Sequence, residues 1–488
     1  MKLRWSQINW LEAEEQVNRL QIRIVKATLE QKWRLVKRLQ YLMTNSFYAR
    51  AIAVKRVITN KGKRTPGIDG ELWKTDDEKM KAVNELDCHT YHARPLRRIY
   101  IEKFGKKEKR PLGIPTMRDR AMQALQLLAL EPIAETTADR ISFGFRRYRS
   151  PEDAMEYAFR ILSRRDSPQW ILEGDIKSCF DKISHQWMLE HIPTDKRILK
   201  EFMKCGYISK GKLYPTTEGS PQGGVISPTY ANMVLDGMEP MILDVYWRSK
   251  VKKTFGVKYN SHKVHMVRFA DDFIVTAADK ETLDDIKCMI ADFLRGRGLT
   301  LSKEKTVITH INSGFDFLGW NFRKFNGKLI IKPSFKSMSK ITMKVSEIIK
   351  NSRTTKQEIL IQRLNQVIIG WANYHSGTCA KKCFGILEHR IWEMLWKWAK
   401  RRHPNKNKYW IADKYWKQHK GRRWAFKTEK NILFNMSDMP IVRKSQMALD
   451  KNAFLDKGYF EDRSQKHRQK RKMAMKSNNA AHIGYYAL

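Results

Sequence analysis

Arg268-Phe269-Ala270-Asp271-Asp272-Phe273-Ile274-Val275 sets two adjacent carboxylates between apolar, strand-forming runs. The flanks at 266–270 and 273–276 are β-branched or aromatic enough to pair as strands, which predicts a hairpin with Asp271 and Asp272 at its tight turn. Two acids at a buried turn are costly unless cations neutralise them. The stretch therefore has the form of a metal-holding hairpin. It equally suits an ordinary surface turn, because Asp favours turns through its local hydrogen bonds. The rest of the chain decides between the two.

A third acid comes from Trp170-Ile171-Leu172-Glu173-Gly174-Asp175-Ile176, an apolar run ending in a carboxylate, as when a buried strand delivers an acid to a site at its end. A helix cap or turn is the plainer role for Asp175. Gly219-Ser220-Pro221-Gln222-Gly223-Gly224 is a Gly-permissive loop opening a helix expected from about 228 through 238, and its backbone can approach a substrate closely. Residues 98–103 and 110–115 read as two short strands around a basic turn, a cationic hairpin suited to triphosphates. Helical spacing resumes over 119–130. Ser142-Phe143-Gly144-Phe145-Arg146 is a loop whose aromatics can stack on bases or pack a core. Leu283, Ile286, Ile290, Phe293 and Leu294 mark an amphipathic helix ended by Gly296 and Gly298, and 315–320 looks like another strand.

Lys plus Arg number 94 against 51 Asp plus Glu, a formal charge of +43, which would repel itself in a compact fold without a polyanionic partner. A hydrophobic fraction of 42% and 15 Trp argue against a disordered basic tail protein and for a folded one with a large positive surface. Nucleic acid is the leading partner. Anionic membrane is the competitor, but no apolar stretch long enough to span one occurs. The N-terminus lacks the apolar core of a signal peptide, so an intracellular protein is expected, in the cytoplasm or nucleoid if the source is bacterial. The six Cys contain no Cys-x-x-Cys pair, against a disulfide framework or zinc finger. His375, Cys379 and Cys383 are spaced to share a helix face, where buried thiols are a better reading than zinc.

At 488 residues the chain should divide into several domains. Val17, Leu20, Ile24, Leu35, Val36, Leu39 and Leu42 predict N-terminal amphipathic helices, and 60–70 is a Gly/Pro-punctuated basic loop or linker. From about 335 the pattern is helical, with stripes at Leu360, Leu364, Val367, Ile368 and Trp371, then at Leu387, Ile391, Met394, Leu395 and Trp398. Trp396-Lys397-Trp398-Ala399-Lys400-Arg401-Arg402-His403 interleaves aromatics with charges, as in an RNA-holding surface. The basic tail at 463–476 is expected to be mobile unless bound.

Read in order, the basic hairpin with Arg110-Pro111-Leu112-Gly113-Ile114-Pro115, Phe143-Gly144-Phe145-Arg146, Asp175 with Phe180, Ser220-Pro221-Gln222-Gly223-Gly224, Phe269-Ala270-Asp271-Asp272 and Phe317-Leu318-Gly319-Trp320 resemble the reverse transcriptases encoded by group II introns. Trp10 and the 46–70 region are similar to that family's N-terminal extension, and Gly370-Trp371-Ala372-Asn373-Tyr374-His375 to its thumb, the maturase or X domain. Phe269 stands where the family usually has Tyr, a departure that bears on fidelity or processivity.

The resemblance implies an α+β right-hand polymerase of fingers and palm with an antiparallel sheet, followed by an α-helical thumb. Its divisions would be an N-terminal helical extension over 1–60, fingers and palm over 61–330, a thumb/maturase domain over 331–430, and a basic segment over 431–488 with DNA binding as its candidate role. It implies an RNA-directed DNA polymerase whose primer 3′-hydroxyl attacks an α-phosphate with the help of two Mg²⁺ ions roughly 3.5 to 4 Å apart, or Mn²⁺ in their place. Asp175, Asp271 and Asp272 would carry catalysis and, with Ile176 beside them, the metals. Lys103 and Arg110 would lie over the incoming dNTP, Gln222 beside its sugar and base, and Phe180 under the ribose, so that bulk there excludes a 2′-hydroxyl. Arg146, Lys397, Arg401 and Arg402 would contact nucleic acid.

Implied partners are a group II intron RNA, an RNA template with its DNA primer, target DNA and dNTPs, with no membrane and a homodimer left open. The expected activity extends to maturase-assisted splicing and target-primed reverse transcription in intron mobility. No endonuclease with paired Cys motifs is expected, so the primer would come from elsewhere. A maturase with a vestigial acidic site is one rival reading. An RNA-dependent RNA polymerase is another, opposed by Phe180 and the Ala270-Asp271-Asp272 turn.

Overall fold

The computed structural model of this chain describes residues 3–102, 109–219, 223–250, 257–419 and 421–484. It is a mixed α+β structure that divides into two compact units. One comprises Met1–Ser150, Leu172–Ile308 and Ala448–Phe460, the other Pro151–Ile171, Thr309–Met447 and Glu461–Leu488.

In the first unit the helices Trp10–Leu29, Trp33–Asn45 and Phe47–Thr59 pack on the helix Met117–Thr137. Their stripe buries Val17, Ile24, Val36 and Leu39, but Leu35 and Leu42 face solvent, because the buried face is narrower than the apolar spacing implies. The helix Met117–Thr137 runs past both of its expected ends. It starts at a capping box in which Thr116 and Asp119 satisfy each other, and Tyr91 also donates to Asp119. It continues through Pro132, which has no N–H for the carbonyl one turn back. That carbonyl, on Leu128, accepts from the buried Gln21 Nε2 at 2.9 Å.

Strands β1 (Leu96–Glu102) and β2 (Lys109–Ile114) pair antiparallel with Arg110 opposite Ile101. Strand β3 (Trp170–Asp175) belongs to a second sheet. Strands β4 (Tyr207–Ser209) and β5 (Lys212–Tyr214) complete the first, ordered β2-β1-β4-β5. The helix expected over 228–238 is two, Ser227–Leu235 and Met238–Tyr246, broken at Gly237 with φ +97°. Asp139 caps the second by accepting from Gly237 N and Glu239 N. Strands β6 (Arg248–Lys250) and β7 (Val257–Tyr259) pair with each other. Strands β8 (His265–Phe269) and β9 (Asp272–Ala277) form the acidic hairpin and, with β3 and β10 (Val307–His310), the sheet ordered β10-β3-β9-β8. The helix Lys280–Arg295 starts at an Asp279 cap, and it ends at Gly296 as its pattern predicts.

The second unit holds a three-stranded sheet of β11 (Phe315–Phe317), β12 (Trp320–Phe325) and β13 (Lys328–Pro333). The single strand expected over 315–320 is thus a hairpin, turning at Leu318 and Gly319 with φ +51° and +84°. The helices Phe335–Lys350, Gln357–His375 and Lys381–Arg402 enclose a core of Ile341, Val345, Leu360, Leu364, Leu387 and Leu395. Strands β14 (Trp416–His419) and β15 (Arg422–Phe426) follow. His375 ends one helix and Cys383 lies in the next, so the shared helix face expected for His375, Cys379 and Cys383 does not form. The basic tail is likewise not a loose segment but part of a helix, Lys457–Gly484. There Arg463 is buried and pairs with Asp153 at 2.5 Å, beside Lys444 at 2.8 Å from the same carboxylate.

Candidate active site

The β8–β9 hairpin closes with Phe269 opposite Asp272, leaving Ala270 and Asp271 as its two-residue turn. Asp272 is therefore the first residue of β9 rather than part of the turn. Ala270 takes φ +58°, a strained conformation for a residue with a Cβ. The strain is held from behind by the 141–144 loop. Arg268 N donates to Ile141 O and Phe143 N to Arg268 O, at 3.1 and 2.9 Å. Gly144 passes so close that a Cβ there would lie 2.4 Å from Ala270 N.

Strand β3 lies beside β9, and Gly174 leaves room for the Phe273 ring, which a Cβ would meet at 2.2 Å. This registers Asp175 at the strand end with the acids of the hairpin. The chain then pairs Ile176 with Leu301, and Ser302 N donates to Asp175 O at 2.8 Å. Ile176 is buried. The turn at Ser178, φ +49°, starts the short helix Cys179–Lys182 carrying the half-buried Phe180.

The three carboxylates crowd one another. Burial, then the charges of Asp271 and Asp175, push Asp272 up to about 6, although its side chain still opens to solvent at the edge of the cleft. Burial raises Asp271 as well, against the pull of Arg110 and Lys305. Lys305 is the site member that the sequence reading missed. Its Nζ lies 2.8 Å from Asp175 Oδ2, and that hydrogen bond raises its pKa, with Asp272 and Asp271 adding to the effect. Its signal was only a basic residue in the unassigned 299–305 run. Burial, with Asp271 and Asp175 nearby, pushes the Cys179 thiol up to about 12, so it stays protonated and unreactive.

A second missed cluster lies beneath the hairpin. Arg268 is fully buried, pairs with Asp236 and stands 3.8 Å from Asp139. Burial pushes Asp236 up to about 7 even with the guanidinium beside it. Nothing in the apolar run around it had signalled that the Arg268 side chain is buried within β8.

Of the residues expected around the nucleotide, Arg110 is near enough to act on Asp271. Lys103 and Gln222 lie outside the described residues. Gly223, next to Gln222, has φ +108° and packs on β2, where a Cβ would meet Gly113 O at 2.7 Å. Two of the expected nucleic-acid contacts are engaged within the fold. Arg146 is buried, with its guanidinium bidentate on Glu135 and donating to Asp139 O and Ser142 O, so its charge is spent inside the fold. Arg402 donates to Arg353 O and Thr355 O and lies over the Trp398 ring, closing the end of its helix. Lys397 and Arg401 face solvent.

Carboxylate oxygens gathered against one lysine are a donor set suited to hard divalent cations. Among the described residues no three such groups form a ready-made metal shell. Mg²⁺ does not require one, since it usually takes one or two carboxylates and completes its shell with water and substrate phosphates. The residues present therefore fit the ion.

Three family models match this chain: reverse transcriptase (RNA-dependent DNA polymerase) over 101–322, the N-terminal domain of reverse transcriptase over 5–86, and the group II intron maturase-specific domain over 338–416. Protein YkfC of Escherichia coli K12 is 33% identical over 320 residues, which cover 58% of this chain and 82% of that protein. The group II intron-encoded protein LtrA of Lactococcus lactis subsp. cremoris is 30% identical over 340 residues, 58% of this chain but only 56% of LtrA, so the match spans little more than half of that relative. A solved telomerase of Candida albicans, in complex with a fragment of telomeric RNA, superposes with a TM-score of 0.38 at 13% identity, covering 64% of this chain and 58% of the telomerase. Ordered motifs, site chemistry and matched domains agree: this chain belongs to the group II intron-encoded reverse transcriptase and maturase family, an RNA-directed DNA polymerase joined to a maturase domain.

Proposed function

We propose that the cleft of Asp175, Asp271 and Asp272 extends a DNA primer on an RNA template by two-metal nucleotidyl transfer. The observation that carries this reading is the meeting of a strand-end acid with a hairpin pair around one cation, Lys305. Asp175 and Asp271 are the metal-holding carboxylates, with Ile176 beside them and Asp272 in support. Bound divalent ions would supply the charge that lets a primer hydroxyl displace pyrophosphate. Arg110, with Lys103, would neutralise the incoming triphosphate, Gln222 would meet its sugar and base, and Phe180 would exclude a 2′-hydroxyl.

In this reading residues 61–330 are fingers and palm, 331–430 the thumb, and 1–60 and 431–488 flanking helical and basic segments. The thumb's exposed Lys397 and Arg401 would hold a group II intron RNA, as expected of a chain with formal charge +43. Intron RNA, primer–template, target DNA and dNTPs are the proposed partners, with splicing and target-primed mobility the proposed roles. No helix among the described residues is long and apolar enough to cross a membrane.

Primer extension with the Asp271→Ala protein tests the polymerase reading. Extension should vanish while binding to structured RNA persists, because the substitution removes a metal-holding group and leaves the basic surface. Extension at the parent rate would overturn it.

A further inference from the structure

The Phe143-Gly144-Phe145-Arg146 loop inverts the usual sorting of side chains: the arginine goes in and a phenylalanine goes out. Arg146 is buried on Glu135, while Phe145 keeps 54% of its surface exposed. Phe145 also has φ +56°, a conformation rarely tolerated by a bulky residue unless its surroundings impose it. Here they do. On its N-terminal side Gly144 is wedged against Ala270 N, and Gly144 O accepts from Asn232 Nδ2 at 2.7 Å. On its C-terminal side the Arg146 guanidinium is fixed by Glu135, Asp139 O and Ser142 O. The imposed conformation sends the Phe145 ring edge-on to the ring of Phe180, with centroids 6.5 Å apart and planes at 75°.

We propose that Phe145 is a positioning residue for Phe180, holding that ring at the height where it meets the 2′-position of an incoming nucleotide. The inference rests on the reading of Phe180 as the sugar-excluding residue. The loop that braces the Asp271 turn would then also set sugar selection, coupling metal site and specificity through Gly144.

Single-nucleotide incorporation of dATP against ATP, on one primer–template, gives a ratio of kcat/KM values that is insensitive to the amount of folded enzyme. Phe145→Ala should lower this discrimination about two- to tenfold, the range expected for losing one aromatic pair. Phe145→Tyr should restore it. The double variant Phe145→Ala/Phe180→Ala should discriminate no worse than Phe180→Ala alone. If Phe180→Ala leaves the ratio unchanged, the sugar-gate reading fails and this inference with it. If Phe180→Ala lowers the ratio while Phe145→Ala does not, or the two effects multiply, only the positioning role is overturned.

Discussion

Lys305 and Asp175, 130 residues apart in sequence, meet at 2.8 Å between Nζ and Oδ2 at the mouth of the acidic cleft. The ammonium stands where three carboxylates converge and forms an ion pair with Asp175. It supplies counter-charge before any substrate or ion arrives.

Removing that charge should favour metal. Mn²⁺ titration of Lys305→Ala, followed by calorimetry, should give binding about fivefold tighter, equivalent to ~1 kcal/mol for one unit charge a few ångströms away. Weaker binding would mean that Lys305 holds the carboxylates in place rather than competing for them.

Asp272 makes metal-free stability depend on pH. Its folded pKa, about 6, lies above that of an unfolded carboxyl, so its protonated form favours the fold. The stabilisation is complete below an unfolded pKa near 4 and is lost as pH rises through about 6. Asp272→Asn should therefore raise stability to urea at pH 7.5 by about 1 kcal/mol, allowing for solvent screening at its open edge. The gain should shrink toward pH 4. A variant no more stable than the parent at pH 7.5 would contradict the assigned strain.

Gly144→Ala tests the brace behind the turn. A Cβ 2.4 Å from Ala270 N forces the loop or the hairpin to move. Displacement of reacting groups by about 1 Å can cost on the order of 10²-fold in rate. Primer-extension kcat should fall by that order, with RNA affinity within a factor of two of the parent. Full activity would show that the contact relaxes freely.

Asp153 anchors the C-terminal helix through its ion pair with Arg463. Lys444 and Arg463 hold its carboxylate below the usual range although burial opposes them. Its stabilisation is present above the unfolded pKa and lost as pH falls through the folded one. Asp153→Ala removes the buried carboxylate that Lys444 and Arg463 share and should cost about 3–5 kcal/mol in denaturant unfolding. A loss under ~1 kcal/mol would mean that water reaches the cluster.

Chemistry proved more legible in the sequence than packing did. The acidic hairpin, the strand ending at Asp175 and the helix Lys280–Arg295 were all readable because alternation, caps and turn residues act over a few neighbours. The β11–β12 hairpin was misread as one strand because Leu318, an unfavourable residue for positive φ, occupies the first turn position. Arg146 was assigned to nucleic acid because a local window holds no sign of Glu135 meeting it in the fold.

The amino-acid sequence by itself determined the class of chemistry and the family, through ordered acid, glycine and basic motifs whose spacing is written along one dimension. Tertiary structure alone decided which charges are spent on the fold and which remain for substrate: Arg268 on Asp236, Arg146 on Glu135, Lys305 on the acids. The physical reason is desolvation. A buried charge must find a partner, and both the burial and the partner are set by segments that meet only when the chain has folded.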